Sequence, residues 1–277
     1  MKQTQLSAVI GALIVGLAAH GAQAGWPGDP AKCKPDAVKA GSVCMDKYEA
    51  SVWEVPATNL AGKSNKGLIT KIQTGAATLA NLQAGGATQR GVSSDDYDPT
   101  TCPNNGQGCA DIYAVSISGV IPSSRITWFQ AQQACFNARK RLPSNAEWQG
   151  AVSGTQDPGP DNGSTDCNTA SANAAVNTGS RSGCVSRFGA FDMVGNLGEW
   201  VADWVPRSTM CLGWGTYSGD KMCLAGAATS GAQPGALMRG GGWNMGTWAG
   251  PLSVDAGYFN TSGPFYSDDI VGFRCAR

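Results

Sequence analysis

Arg141–Trp148 reads RLPSNAEW, Gly195–Trp200 reads GNLGEW, Met238–Trp243 reads MRGGGW and Gly272–Arg277 reads GFRCAR. Any one of these phrases is weak evidence; the four in this order are specific. The first marks a helix start. Pro143 precedes Ser144-Asn145-Ala146-Glu147, an S-x-x-E capping box in which Ser144 accepts from the third amide and Glu147 reaches back to the cap amide. Just upstream, Thr127–Lys140 sets Phe129, Ala134, Cys135 and Ala138 along one helical face, with Thr127 as N-cap. Near the other end of the chain, Val43–Val55 (VCMDKYEASVWEV) is rich in β-branched and aromatic residues and reads as a strand. With 38 glycines and only 14% charged residues, the chain reads as loop-rich rather than as a helical bundle.

The four phrases together resemble the formylglycine-generating-enzyme family, also called the sulfatase-modifying-factor domain. The resemblance runs from about Val43 to Arg277, and it implies an irregular α+β fold related to the C-type lectins. One domain is expected over 25–277. Ala57–Ser124 has no counterpart in a minimal member and is expected to be an insertion packed on the core. Within it, Leu68, Ile69, Ile72, Leu79 and Leu82 recur at roughly helical spacing before Gly85-Gly86.

Residues 1–24 read as a secretory signal peptide: Lys2, the apolar run Ala8–Ala19, then Ala22-Gln23-Ala24. Export to the periplasm, extracellular space or cell surface is the expectation. No later segment reaches 18 apolar residues, so no spanning helix is expected. Without Lys2 there are 19 basic against 20 acidic residues, a balance that offers no basic field for nucleic acid or anionic membrane.

All ten cysteines follow the cleavage site, an even count that suits an oxidising compartment. Proximity suggests Cys33/Cys44, Cys102/Cys109, Cys167/Cys184 and Cys211/Cys223, although ten cysteines allow many connectivities. The resemblance implies that Cys135 and Cys275 are joined.

Two constellations bear on function. The phrase from Asp192 to Trp200 carries two carboxylates seven residues apart around a glycine-containing turn, a pattern that can supply oxygens to calcium. The resemblance implies a structural calcium held by the Asp192 and Glu199 side chains and the Gly195 and Leu197 carbonyls. Gly198 departs from the tryptophan usual there.

The family's oxidases bind Cu(I) through two thiolates just after the glycine-rich phrase. Counted from that phrase, the matching positions hold Met245 and Gly250, so copper is not expected. His20, the only histidine, leaves with the signal peptide. That removes histidine-dependent nucleophilic catalysis and the two-His-one-carboxylate iron site. No catalytic residue is therefore expected.

Trp243–Ile270 holds six aromatics and no Lys or Arg. Its mixture of Trp and Tyr with Ser, Gly and Asn is the composition of antibody paratopes. The stretch also resembles the variable region of proteins diversified by retroelements, which share the lectin-like fold and close on a GFR strand. Trp243, Asn244, Met245, Thr247, Trp248, Tyr258, Phe259, Asn260, Phe265 and Tyr266 are the candidate binding residues. The expected function is non-catalytic binding of a protein or glycan; the alternative is a formylglycine-generating oxidoreductase acting on a sulfatase cysteine.

Overall fold

Two capping boxes fix the helical part of the fold. Thr127 accepts from the Gln130 amide and Gln130 returns to the Thr127 amide, while Ser144 and Glu147 do the same for the next helix. Each box satisfies two amides that a helix start leaves open. The structure is a computed structural model describing residues 32–97, 101–227, 234–257 and 263–277.

In chain order the elements are β1 (Ala37–Ala40), β2 (Val43–Asp46), β3 (Ser51–Glu54), α1 (Lys66–Gln73), α2 (Leu79–Ala84), β4 (Thr88–Arg90) and β5 (Ile112–Val115). There follow α3 (Trp128–Asn137), α4 (Asn145–Ala151), β6 (Gly198–Val205), β7 (Ser208–Gly213), β8 (Lys221–Ala227), β9 (Gly235–Arg239), β10 (Val254–Asp255) and β11 (Val271–Phe273). Short elements separated by long loops make this a mixed α+β, loop-rich fold, as the glycine content foretold.

The strands form a β1–β2 hairpin, a three-stranded sheet in the order β4-β3-β5, and a six-stranded sheet in the order β11-β6-β9-β10-β8-β7. The run expected as one strand at Val43–Val55 is two strands belonging to different sheets. The 57–124 segment supplies both neighbours of β3, and its helical stretch is broken into α1 and α2. Leu68, Ile72 and Leu82 pack with Trp53 and Tyr113 in one core. A second core sets Cys135 and Ala134 of α3 against Trp200 and Phe273, and a third surrounds Trp148 of α4 with Met193, Val201 and Leu237. Burying an indole such as Trp148 or Trp200 contributes about 5 kcal/mol of transfer free energy.

The glycine-rich phrase has a backbone cause. Gly240 and Gly241 take φ +82° and +76°, and a Cβ on Gly240 would meet the Met193 carbonyl at 2.7 Å. Only glycine allows both the conformation and the approach. Gly272 works similarly: a Cβ there would press on Leu197 at 2.6 Å, so GFRC and GNLGEW dock directly.

All ten cysteines are paired, in the four short loops suggested by proximity and in Cys135–Cys275, whose Cα atoms are 5.8 Å apart. Five disulfides mark a chain that folds in an oxidising environment. No helix among the described residues is long and apolar enough to cross a membrane. The expected signal peptide lies outside the described residues.

Candidate functional site

The GNLGEW turn and the GFRCAR strand meet around one buried guanidinium. Arg274 is fully buried; its Nε donates to both Glu199 oxygens at 2.8 Å, and its Nη2 donates to Glu199 Oε1 at 2.6 Å and to the Phe191 carbonyl at 2.7 Å. Its Nη1 donates to the Asp46 carbonyl. Trp148 Nε1 adds a bond to Glu199 Oε2 at 2.6 Å. Nearby, Glu49 accepts from Asn196 Nδ2 and from the Leu197 amide, and Asp192 accepts from the Gly179 amide.

The electrostatics follow from burial. Burial, then the charges of Asp192 and Glu199, push the Glu49 carboxyl well above its ordinary value. Burial raises Asp192 to about 6, against the opposing Gly179 bond and the Arg274 charge. Burial disfavours the Arg274 charge, but Glu199 outweighs it and the guanidinium is held more firmly protonated.

This arrangement does not fit the calcium implied for Asp192, Gly195, Leu197 and Glu199. Both oxygens of Glu199 are already engaged, and the positive charge beside them is a guanidinium. Spacing along GNLGEW could not reveal that Arg274, 75 residues on, arrives at the same carboxylate. Chelation with EDTA should therefore leave the melting temperature unchanged. A fall that added Ca²⁺ reverses would restore the calcium reading.

The aromatic C-terminal segment divides between surface and core. Asn244, Thr247 and Trp248 are exposed, Trp248 by 51%. Trp243 and Met245 are half-buried, Trp243 donating to the Asp269 carbonyl and Met245 resting on the Trp148 core. Phe265 is 40% exposed and packs on Phe129, which also meets Trp128 and Trp204. Tyr266 leans on the α3 core and donates to Asp268. Tyr258, Phe259 and Asn260 lie outside the described residues.

Residues that the sequence reading passed over complete the surface. The β7–β8 hairpin exposes Leu212, Trp214 and Tyr217, and Trp204 of β6 is exposed beside Phe129. Ser208–Gly213 gives no alternation to read, since Met210, Cys211 and Leu212 are consecutive apolar residues and the register shifts between Met210 and Leu212.

A family model described as the sulfatase-modifying factor enzyme 1-like domain matches residues 37–277. The chain belongs to that family.

Among solved structures, the Major Tropism Determinant U1 variant is 18% identical with a TM-score of 0.45, covering 89% of this chain and 54% of that one. Treponema denticola variable protein 1 is 18% identical, TM-score 0.33, covering 56% and 70%. CarF is 14% identical, TM-score 0.40, covering 85% of each chain. The chain thus spans about half the length of the tropism determinant. No curated protein matches the sequence.

Within this sulfatase-modifying-factor domain, the two positions that the sequence resemblance would assign to copper-binding thiolates, Met245 and Gly250, have other neighbours. The Met245 sulfur lies 3.8 Å from Lys221 Nζ. A Cβ built on Gly250 would overlap the Asp220 carboxylate, so Asp220 fills the space a side chain at 250 would need. Lys221 is itself ion-paired to Asp255 at 2.9 Å in the buried wall behind.

Proposed function

We propose that this sulfatase-modifying-factor domain is a non-catalytic binding module that works outside the cytoplasm. Its surface over Trp243–Ile270, extended by the β7–β8 hairpin, would hold a protein or glycan partner. The observation that carries this reading is Asp220 in the space of a side chain at position 250. A cysteine there would have to displace a buried carboxylate before it could bind a soft metal. The pairing of all ten cysteines supports the same conclusion, since no thiolate is left to serve as ligand or nucleophile.

Large exposed aromatics support the binding side of the proposal. Interfaces concentrate their energy in such anchors, and truncating a central one costs about 2 kcal/mol or more. Trp248→Ala should weaken partner binding by about thirtyfold, measured by surface plasmon resonance against a glycan or protein recovered by crosslinking. Melting should be little changed, because half of this indole is already in solvent.

The oxidoreductase reading is tested on the same preparation. A cysteine-containing sulfatase peptide incubated with the domain, oxygen and Cu(I) should emerge unconverted by mass spectrometry. Copper-dependent formylglycine would sink the non-catalytic reading. Diversification by a retroelement belongs to the same proposal. Sister strains should then differ at codons for the exposed positions, Asn244, Thr247 and Trp248 among them, and agree at those for β11.

A further inference from the structure

A groove of about 450 Å³ runs between the disulfide loop Cys102–Cys109 and the outer face of α3. The loop belongs to the 57–124 segment, and α3 fixes it at three points. Thr127 Oγ1 donates to the Asn104 carbonyl at 2.7 Å, Gln130 Nε2 to the Cys102 carbonyl at 2.8 Å, and Asn137 Nδ2 to the Cys109 carbonyl at 2.6 Å. Gly106 lets the loop press on the helix: its φ is +72°, and a Cβ there would meet the Phe129 carbonyl oxygen at 2.7 Å. Cross-link, anchors and close approach hold both walls in place before any ligand arrives, which lowers the ordering cost of binding.

No charged residue lines the groove. Asn105 and Gln107 on the loop and Gln132 and Gln133 on the helix supply amides, and Phe129 supplies the aromatic part. Gln107 and Gln132 are exposed, while Gln133 is steadied by a bond from its Nε2 to Asn137 Oδ1 at 2.9 Å. Phe129 also leads out of the groove to an aromatic ledge. Its ring centroid lies 5.1 Å from that of Phe265 and 5.6 Å from that of Trp204. Phe265 is 40% exposed and Trp204 41%.

The chemistry of these groups selects the ligand. A primary amide donates and accepts at once, as a sugar hydroxyl does, so the two pair in either direction. Exposed rings offer an apolar platform to the C–H face of a pyranose. An ionised ligand would lose hydration and find no counter-charge in the lining. An apolar side chain would cover the amides without pairing them.

We propose that this groove is a subsite for a neutral saccharide, one pyranose bonded among Gln107, Gln132 and Gln133 and a neighbouring unit lying on the Phe265–Trp204 ledge. It rests on the reading of the domain as a binding module, and it engages Phe265 but not Trp248. A volume of this size accommodates one to two sugar units.

The test uses the full chain, with cellotriose, mannotriose and chitotriose as neutral probes and trigalacturonate as the charged one. Saturation-transfer NMR and tryptophan fluorescence read the binding. At least one neutral trisaccharide should bind about tenfold more tightly than trigalacturonate. Gln132→Leu and Gln107→Ala should each weaken that binding severalfold, and Phe265→Ala should weaken it about tenfold. Both glutamines are exposed, so the melting temperature of their variants should not move. Failure of all three neutral probes, equal binding of trigalacturonate, or unchanged binding in both glutamine variants would overturn the proposal. Tighter binding of N-acetylphenylalanine amide than of every trisaccharide would overturn it in favour of a peptide ligand. If Trp248→Ala abolishes saccharide binding and Gln132→Leu does not, the sugar sits on the other surface and the groove falls. If no trisaccharide binds while Trp248→Ala still weakens a macromolecular partner, the groove falls and the surface reading stands. If the glutamine variants lose the saccharide while Trp248→Ala leaves every such partner untouched, the groove stands and the wider surface reading falls.

Discussion

Replacing Cys135 and Cys275 together by alanine should lower the stability of the domain by about 5 kcal/mol. The bond closes a loop across a sequence separation of 140, and in the chain-entropy model the loss grows with the logarithm of loop length. Both sulfurs also lie in a fully buried cluster with Trp200 and Phe273, so their removal leaves a gap that the core cannot readily fill. The urea midpoint of the double variant, with the slope m held in view, measures the effect. Cys211 and Cys223 provide the internal comparison. Their separation is only 12, within the β7–β8 hairpin, so the same substitution there should cost about 3 kcal/mol by the same model. A Cys135/Cys275 variant that unfolds at the wild-type midpoint would show that the cross-link is energetically idle.

Arg274→Met should cost about 3–5 kcal/mol, the range for removing one partner of a buried ion pair. The guanidinium is fully buried and touches Glu199, and the charges of Glu49 and Asp192, which repel the Glu199 carboxylate, also favour it. Removing it strands the carboxylates in a dry interior and frees the Phe191 and Asp46 carbonyls as well. The informative control is Arg274→Met combined with Glu199→Leu. If the penalty comes from an uncompensated charge, the double variant should regain a large part of the loss, a coupling visible in a thermodynamic cycle. A single variant losing less than about 1 kcal/mol would mean that water or a neighbouring proton compensates the site.

Both effects trace to GFRCAR, and much of that region was legible in the sequence. The cap at Thr127, the box at Ser144–Glu147 and the glycines of MRGGGW are local signals, each set by residues within a few positions. The Cys135–Cys275 bond was reachable through the family resemblance. What escaped the sequence was which distant group meets which. Glu199 looked like a calcium ligand because spacing records oxygens and not the arginine that occupies them. Gly250 looked like a bare loss, although Asp220, 30 residues away, fills its space. The 57–124 segment looked like an addition to a finished core, yet it flanks β3 on both sides. Its short strands, three and four residues long, carry too little alternation to be read.

The placement of Arg274–Arg277 also bears on synthesis. Cys275 and Arg277 carbonyls accept from Asp46 and Cys44, Ala276 pairs with Arg141, and the Arg274 contact to Asp46 spans a separation of 228. Contacts of such range form slowly, since the chain must lose much freedom before they reward it. A nascent chain lacking these four residues can build its hairpins and short helices but cannot close the cores that Trp148 and Trp200 organise. The polypeptide should thus remain open, with Cys135 unpaired, until translation has passed position 277. Any frameshift or premature stop within the aromatic stretch upstream would deny it this closure. Such a product would leave Cys135 without its partner and its apolar cores open to proteolysis, so only chains read in frame through Arg277 would persist as folded protein.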